Sequence, residues 1–111
     1  VILITDAIEA AGLPDGTYKL GTQPVYVKNG EARLANGALA GSIANMNDCV
    51  RNAFEHLGLT LNEAVNLASY NPAQSLGEPL LGEIKEGKFA DIIFFDDNFQ
   101  IKQTIVKGKV L

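Results

Sequence analysis

The chain opens with an unbroken apolar run, Val1–Ile4, that is largely β-branched. Such a run is typical of a parallel strand covered on both faces, and the polar pair Thr5 and Asp6 ends it abruptly. Because a natural N-terminus rarely opens inside a buried strand, we expect the sequence to begin partway through a larger protein.

Two further strands are predicted at Gln23–Lys28 and Glu31–Leu34, joined by the dipeptide Asn29-Gly30. Both residues of that dipeptide tolerate a positive φ, and this makes it the strongest short signal for a β-hairpin. Gly12 and the Pro14-Asp15-Gly16 stretch before the first strand indicate a loop and a tight turn.

The middle of the chain has the periodicity of helices. An apolar stripe from Ile43 to Leu57 repeats every three to four residues and ends before Gly58. Thr60 and Glu63 have the spacing of a capping box, which predicts that a second helix begins there. Pro72 forbids simple continuation of that helix, so Asn71 is expected to cap one more short turn that ends near Gly77.

The last third of the chain changes to a strand pattern, with strands predicted at Gly82–Ile84, Ala90–Phe95 and Ile101–Lys107. We therefore place a domain boundary between residues 1–77 and residues 78–111. The mixture of strands and helices predicts an α/β protein.

Composition and charge make some classes of protein improbable for this sequence. The chain is 47% hydrophobic and 20% charged, as expected for a globular protein, and its net charge of -4 argues against a nucleic-acid partner. No apolar run is long enough to cross a membrane. The single cysteine, Cys49, cannot form an internal disulfide, and this favours a cytoplasmic location.

Two segments are candidates for chemistry. Asp6 follows a strand, where α/β barrels place catalytic groups, but an aspartate there can equally cap the turn. Ala40-Gly41-Ser42 would let a ligand approach the main chain, or Gly41 simply permits a tight loop and Ser42 is the N-cap of the helix. The lone histidine, His56, has no second ligand near it, so no metal site is predicted within this chain.

Longer motifs resemble N-acetylglucosamine-6-phosphate deacetylases of the amidohydrolase superfamily. The specific ones are Ile4-Thr5-Asp6-Ala7, Gly12–Gly16, Tyr18–Gly21, and Gly30–Gly37 leading into Leu39–Ser42. Ala68–Ala73 and Gly82–Ile92 are similar to many members of the superfamily and identify only that wider group.

The resemblance implies the C-terminal portion of a metal-dependent (β/α)8 barrel together with strands of a small β-sandwich domain. Val1–Ile4 would be the eighth barrel strand, and Gly82–Leu111 would belong to the β-domain. By the match to the family's motifs, Asp6 is the general base that takes a proton from metal-bound water and returns it to the leaving amine. Leu39, Ala40 and Gly41 match the segment that contacts the substrate.

The resemblance also implies groups that lie outside the 111 residues. A divalent metal, zinc or iron, would be bound by residues elsewhere in the protein, and the complete enzyme would be a homodimer acting on a small amino-sugar phosphate. The chain alone is expected to be inactive. Two rivals stay open: another amidohydrolase, dihydroorotase-like or deaminase-like, and a non-catalytic binding or oligomerisation module.

Overall fold

A computed structural model describes all residues, 1–111, and contains two compact units. One unit comprises Ile4–Met46, and the other joins Val1–Leu3 with Asn47–Leu111. Both sheets of this α/β chain are antiparallel.

The unit Ile4–Met46 contains a four-stranded meander in the order β1-β2-β3-β4. The hairpin predicted at Asn29-Gly30 is confirmed: both residues have positive φ, 53° and 79°, and Lys28 pairs with Glu31 across the turn. The strand bounds are β1 Gly16–Leu20, β2 Gln23–Lys28, β3 Glu31–Leu34 and β4 Leu39–Gly41.

Alternation along β2 builds the core of this unit. Val25 and Val27 are buried while Tyr26 between them is 47% exposed, so one face of the sheet points inward. Ala10 and Ala32 complete the buried set, and half-buried apolar residues surround it: Ile8, Tyr18, Leu34, Ala40 and Ile43. The segment after Asp6 therefore packs on the sheet.

The second unit contains three helices, α1 Met46–His56, α2 Leu61–Asn66 and α3 Tyr70–Leu76. The predicted capping box of α2 is confirmed, because the Thr60 hydroxyl accepts a hydrogen bond from the Glu63 backbone and the Glu63 side chain accepts one from the Thr60 backbone. The prediction that Asn71 caps a third helix is wrong. That helix begins at Tyr70, so Asn71 lies inside it, and the Asn71 side chain donates a hydrogen bond to the Val1 carbonyl at 2.8 Å.

The segment Val1–Ile4 is not a strand in this structure. A strand needs a neighbour for its backbone hydrogen bonds, and no strand of residues 1–111 pairs with it. The Leu3 N–H donates instead to the Leu67 carbonyl at 2.9 Å, and Val1 is 94% exposed.

The C-terminal sheet has the order β5-β6-β7, with β5 Ile92–Phe95, β6 Ile101–Val106 and β7 Lys109–Val110. The strand predicted at Gly82–Ile84 is wrong: these residues are irregular because Gly82 has a φ of 88° and packs tightly on α3. Phe99 is the largest member of the buried cluster of this unit, whose other members are Val50, Ala53 and Ala64. The predicted division at residue 77 stays a prediction. None of the helices combines the length and the apolar character that crossing a bilayer requires.

Candidate active site

Asp6 adopts an unusual backbone conformation. Its φ of 49° lies in the left-handed region, which residues with a side chain rarely occupy. This conformation costs free energy and persists where the surrounding structure imposes it. Its side chain is exposed, and no hydrogen bond or ion pair engages its carboxylate. A turn cap would accept a backbone hydrogen bond, so the geometry gives that interpretation no support.

The structure brings the two predicted site segments together. Ala7, which follows Asp6, forms a parallel bridge with Ser42, which follows Gly41, and the Ile8 N–H donates to the Ser42 carbonyl at 2.9 Å. Neighbouring extended segments run about 4.8 Å apart. The aspartate and the small-residue segment therefore lie side by side.

The three predicted substrate-contact residues are not equivalent. Leu39 is 67% exposed, whereas Ala40 is half-buried and packs against the core of its unit. The side chain of Leu39 is thus the more accessible of the two to a ligand. Gly41 lies at the end of β4 next to the Asp6 segment.

Ser42 does not cap the first helix, because that helix begins at Met46 rather than at Ile43. Its hydroxyl instead accepts a hydrogen bond from the Ala44 N–H at 3.0 Å within the connecting loop. The cap interpretation of Ser42 is therefore wrong, and the residue fixes the loop that leaves β4.

The residues present do not fit a metal ion. No group of three or more His, Cys, Asp or Glu side chains converges anywhere in the chain. His56 is 70% exposed at the end of α1, and its nearest acid is its neighbour Glu55 at 3.9 Å. Cys49 is half-buried on the same helix. Since structural and catalytic zinc sites take three or four protein ligands, no reaction step can be assigned to a metal held by these residues.

The carboxyl groups with shifted pKa values lie outside the Asp6 segment. The Lys102 ammonium, 2.8 Å away, lowers the pKa of Asp96, with further lowering from the backbone N–H groups of Gln100 and Asn98. Lys88 similarly lowers the pKa of Glu83 through a hydrogen bond. The hydrogen bonds that Asp96 accepts from the Asn98 and Gln100 N–H groups organise the connection between β5 and β6.

Ile8 is a site neighbour that sequence reasoning missed. A Cβ placed on Gly41 would lie 2.5 Å from the Cγ2 of Ile8, closer than real Cβ contacts. An isoleucine two positions after Asp6 carries no signal in the sequence, because its importance depends on a residue 33 positions away.

Comparisons with known proteins identify the family of the chain. The amidohydrolase family matches residues 1–111. An N-acetylglucosamine-6-phosphate deacetylase of Lysinibacillus sphaericus is 44% identical over 99% of the chain, and an N-acetylgalactosamine-6-phosphate deacetylase of Escherichia coli O157:H7 is 40% identical over 99%. The chain spans only 28% and 29% of these two proteins.

Solved structures give the same result. The crystal structure of N-acetylglucosamine-6-phosphate deacetylase from Pasteurella multocida has a TM-score of 0.91 at 32% identity and covers 99% of this chain and 29% of its own. The enzyme of the same name from Thermotoga maritima has a TM-score of 0.87 at 40% identity, covering 99% of this chain and 30% of its own. The chain belongs to the amidohydrolase family.

Proposed function

We propose that the protein carrying this chain removes the acetyl group from N-acetylglucosamine 6-phosphate, giving glucosamine 6-phosphate and acetate. The relatives of similar sequence and of similar fold carry the name of this activity. They are several times longer than the chain, so the activity is proposed for the complete protein and not for residues 1–111 alone.

The observation that carries the proposal is the placement of Asp6. Its carboxylate is exposed and unpaired, and Asp6 immediately precedes Ala7, whose bridge to Ser42 aligns this segment with Leu39–Gly41. A carboxylate in such a position can accept the proton of a water molecule that attacks the acetyl carbonyl. It can then return that proton to the amine nitrogen as the carbon–nitrogen bond breaks, which regenerates the carboxylate.

The adjoining segment is proposed to hold the sugar. Leu39 offers an exposed apolar side chain, and Ala40 and Gly41 offer a backbone with little side-chain bulk. A ring that lies along this segment would bring its acetamido group towards Asp6, because the two segments are adjacent.

Other parts of the proposal concern the complete protein. A divalent metal, zinc or iron, is proposed to be bound by residues beyond these 111 and would act as a Lewis acid when present. We also propose that the chain contributes to a (β/α)8 barrel and a small β-sandwich, and that the complete enzyme is a cytoplasmic homodimer. No observation favours the dihydroorotase-like, deaminase-like or non-catalytic alternatives.

A second substrate has specific support. The Escherichia coli relative named for the galactosamine isomer is nearly as similar to the chain as the relatives named for the glucosamine isomer. The two sugars differ only in the configuration of one hydroxyl group. Acetate release should therefore be measured with both sugar phosphates.

The test is replacement of Asp6 by Asn in the complete protein, which preserves the shape of the side chain and removes its ability to accept a proton. Acetate release at saturating substrate should fall by roughly 10²- to 10⁴-fold, the usual contribution of a general base. Asp97→Asn is the matched control, since Asp97 is exposed in the turn between β5 and β6 and belongs to neither of the two proposed site segments. Full turnover by Asp6→Asn, or a wild-type protein inactive on both sugars, would refute the proposal.

A further inference from the structure

The contact between Ile8 and Gly41 links the two halves of the candidate site. Ile8 follows Asp6 by two residues, and its side chain packs both on the core of its unit and against Gly41. The closest approach involves Cγ2, a methyl group attached directly to Cβ, which cannot swing away without rotation of the whole β-branched side chain.

We propose that Ile8 is a positioning residue for Asp6, and that Gly41 is glycine so that Ile8 can take this place. The inference rests on the proposed function, because it concerns the residue assigned there as the proton acceptor. It adds to the role of Gly41, whose lack of a side chain makes room for Ile8 while its backbone still belongs to the segment proposed to hold the sugar.

The backbone at Asp6 lies in the left-handed region. A φ of 49° persists only where neighbouring contacts impose it. After Asp6, the first such contacts are the hydrogen bond from the Ile8 N–H to Ser42 and the packing of the Ile8 side chain on Gly41. Together they fix the direction in which the chain leaves Asp6, and thereby the direction of the Cα–Cβ bond from which the carboxylate projects.

The test compares two substitutions at Ile8. Ile8→Val keeps both carbons attached to Cβ, including the one that meets Gly41, whereas Ile8→Ala removes them. With Gly41 intact, Ile8→Val should keep kcat near that of the wild type. Ile8→Ala should lower kcat by up to about 100-fold with KM unchanged, since a displacement of the order of 1 Å has that effect on a reacting group.

In a Gly41→Ala background the order should reverse. The added methyl would meet Cγ2 at 2.5 Å, so Gly41→Ala/Ile8→Val stays impaired while Gly41→Ala/Ile8→Ala recovers kcat by about tenfold or more. Both double variants share the backbone cost of alanine at a φ of 158°, so their difference reports the Cγ2 contact. Gly16→Ala is the control for a new methyl in the same unit, since its Cβ would meet only the Tyr18 side chain at 3.6 Å.

All kinetic constants are measured on the complete protein and scaled to the folded fraction determined by circular dichroism. Equal kcat values for the two double variants would overturn the proposal. A higher KM in Gly41→Ala that neither Ile8 substitution lowers would also overturn the proposal, because the added methyl group would then interfere with the substrate and not with Ile8. Should Gly41→Ala fail to fold, the single Ile8 variants decide the matter by their split between kcat and KM.

The thermal midpoints of the same variants provide a readout without turnover. If the wild-type protein has no deacetylase activity, the proposed function is refuted. The contact is still tested, because Gly41→Ala/Ile8→Ala should then have a higher thermal midpoint than Gly41→Ala/Ile8→Val. If the wild type is active and the order does not reverse, the inference alone fails.

Discussion

Gly82 provides the sharpest test of the packing described here. It has a φ of 88°, and a Cβ placed on it would lie 2.8 Å from the Ala73 Cβ, 2.9 Å from the Ser69 carbonyl oxygen and 3.0 Å from the Tyr70 Cα. All of these atoms belong to α3 or its first turn, and two of them are backbone atoms, so no side-chain rotation can relieve the contact. Gly82→Ala must displace the helix or the segment that follows it.

The expected decrease in the free energy of unfolding of Gly82→Ala has two parts. Alanine in the left-handed region costs about 1–2 kcal/mol in backbone energy. Overpacking against a well-filled environment adds about 1–3 kcal/mol. Gly87 separates the two parts, because its φ of 87° is nearly the same while nothing lies within 4 Å of its Cβ position. Gly87→Ala should show only the backbone part.

Hydrogen exchange measures the local difference directly. The Ser69 carbonyl accepts the Ala73 N–H at 3.2 Å, so displacing it exposes that amide. A steric part of about 1–3 kcal/mol corresponds to exchange about 5- to 140-fold faster in Gly82→Ala than in Gly87→Ala. Equal exchange at the Ala73 amide in the two variants would refute the assigned packing of Gly82 on α3.

Three further predictions concern the second unit. Thr60→Ala should lower the free energy of unfolding by about 1 kcal/mol in urea denaturation. Thr60 also lowers the pKa of Glu63 below its ordinary value of 4.5, first through its backbone N–H and then through its hydroxyl. The contribution of Glu63 is therefore complete above pH 4.5 and is lost as the pH falls through the lowered value, since the unfolded chain then binds more protons. Glu63→Gln should flatten this acid loss, and an unchanged pH profile would contradict the capping geometry. Phe99→Ala should lower the free energy of unfolding by about 3–5 kcal/mol, because Phe99 is only 5% exposed and its ring centroid lies 5.5 Å from that of Phe95. A decrease below about 1 kcal/mol in urea denaturation would contradict the placement of Phe99 in the core.

Local sequence signals predicted the elements that depend on local chemistry. The hairpin between β2 and β3 follows from Asn29-Gly30, because both residues must adopt positive φ. The start of α2 follows from Thr60 and Glu63, whose side chains satisfy each other's backbone N–H groups. In both places the residues that determine the structure are at most three positions apart.

Elements that depend on distant partners escaped prediction. The strand Gly16–Leu20 alternates polar and apolar residues over only five positions, too short a signal by itself, and β2 completes it by pairing along its whole length. Val1–Ile4 shows the opposite case, since an excellent strand sequence has no partner strand among residues 1–111. The β-propensity of a segment favours an extended backbone, but a strand forms only where a neighbouring strand supplies its hydrogen-bond partners.

The candidate site combines both situations. Asp6 could be named from the sequence, because its position after an apolar run is a local feature and its motif is similar to that of a known family. Its left-handed backbone could not, because φ there depends on contacts that Ile8 and Ser42 supply across 33 or more positions. An aspartate in the right motif becomes a proton acceptor only if its carboxylate is held towards the substrate. Under the proposed function, the proton acceptor is Asp6 itself, whereas its orientation would depend on Ile8 and Gly41, a β-branched and a small residue that carry no chemistry themselves.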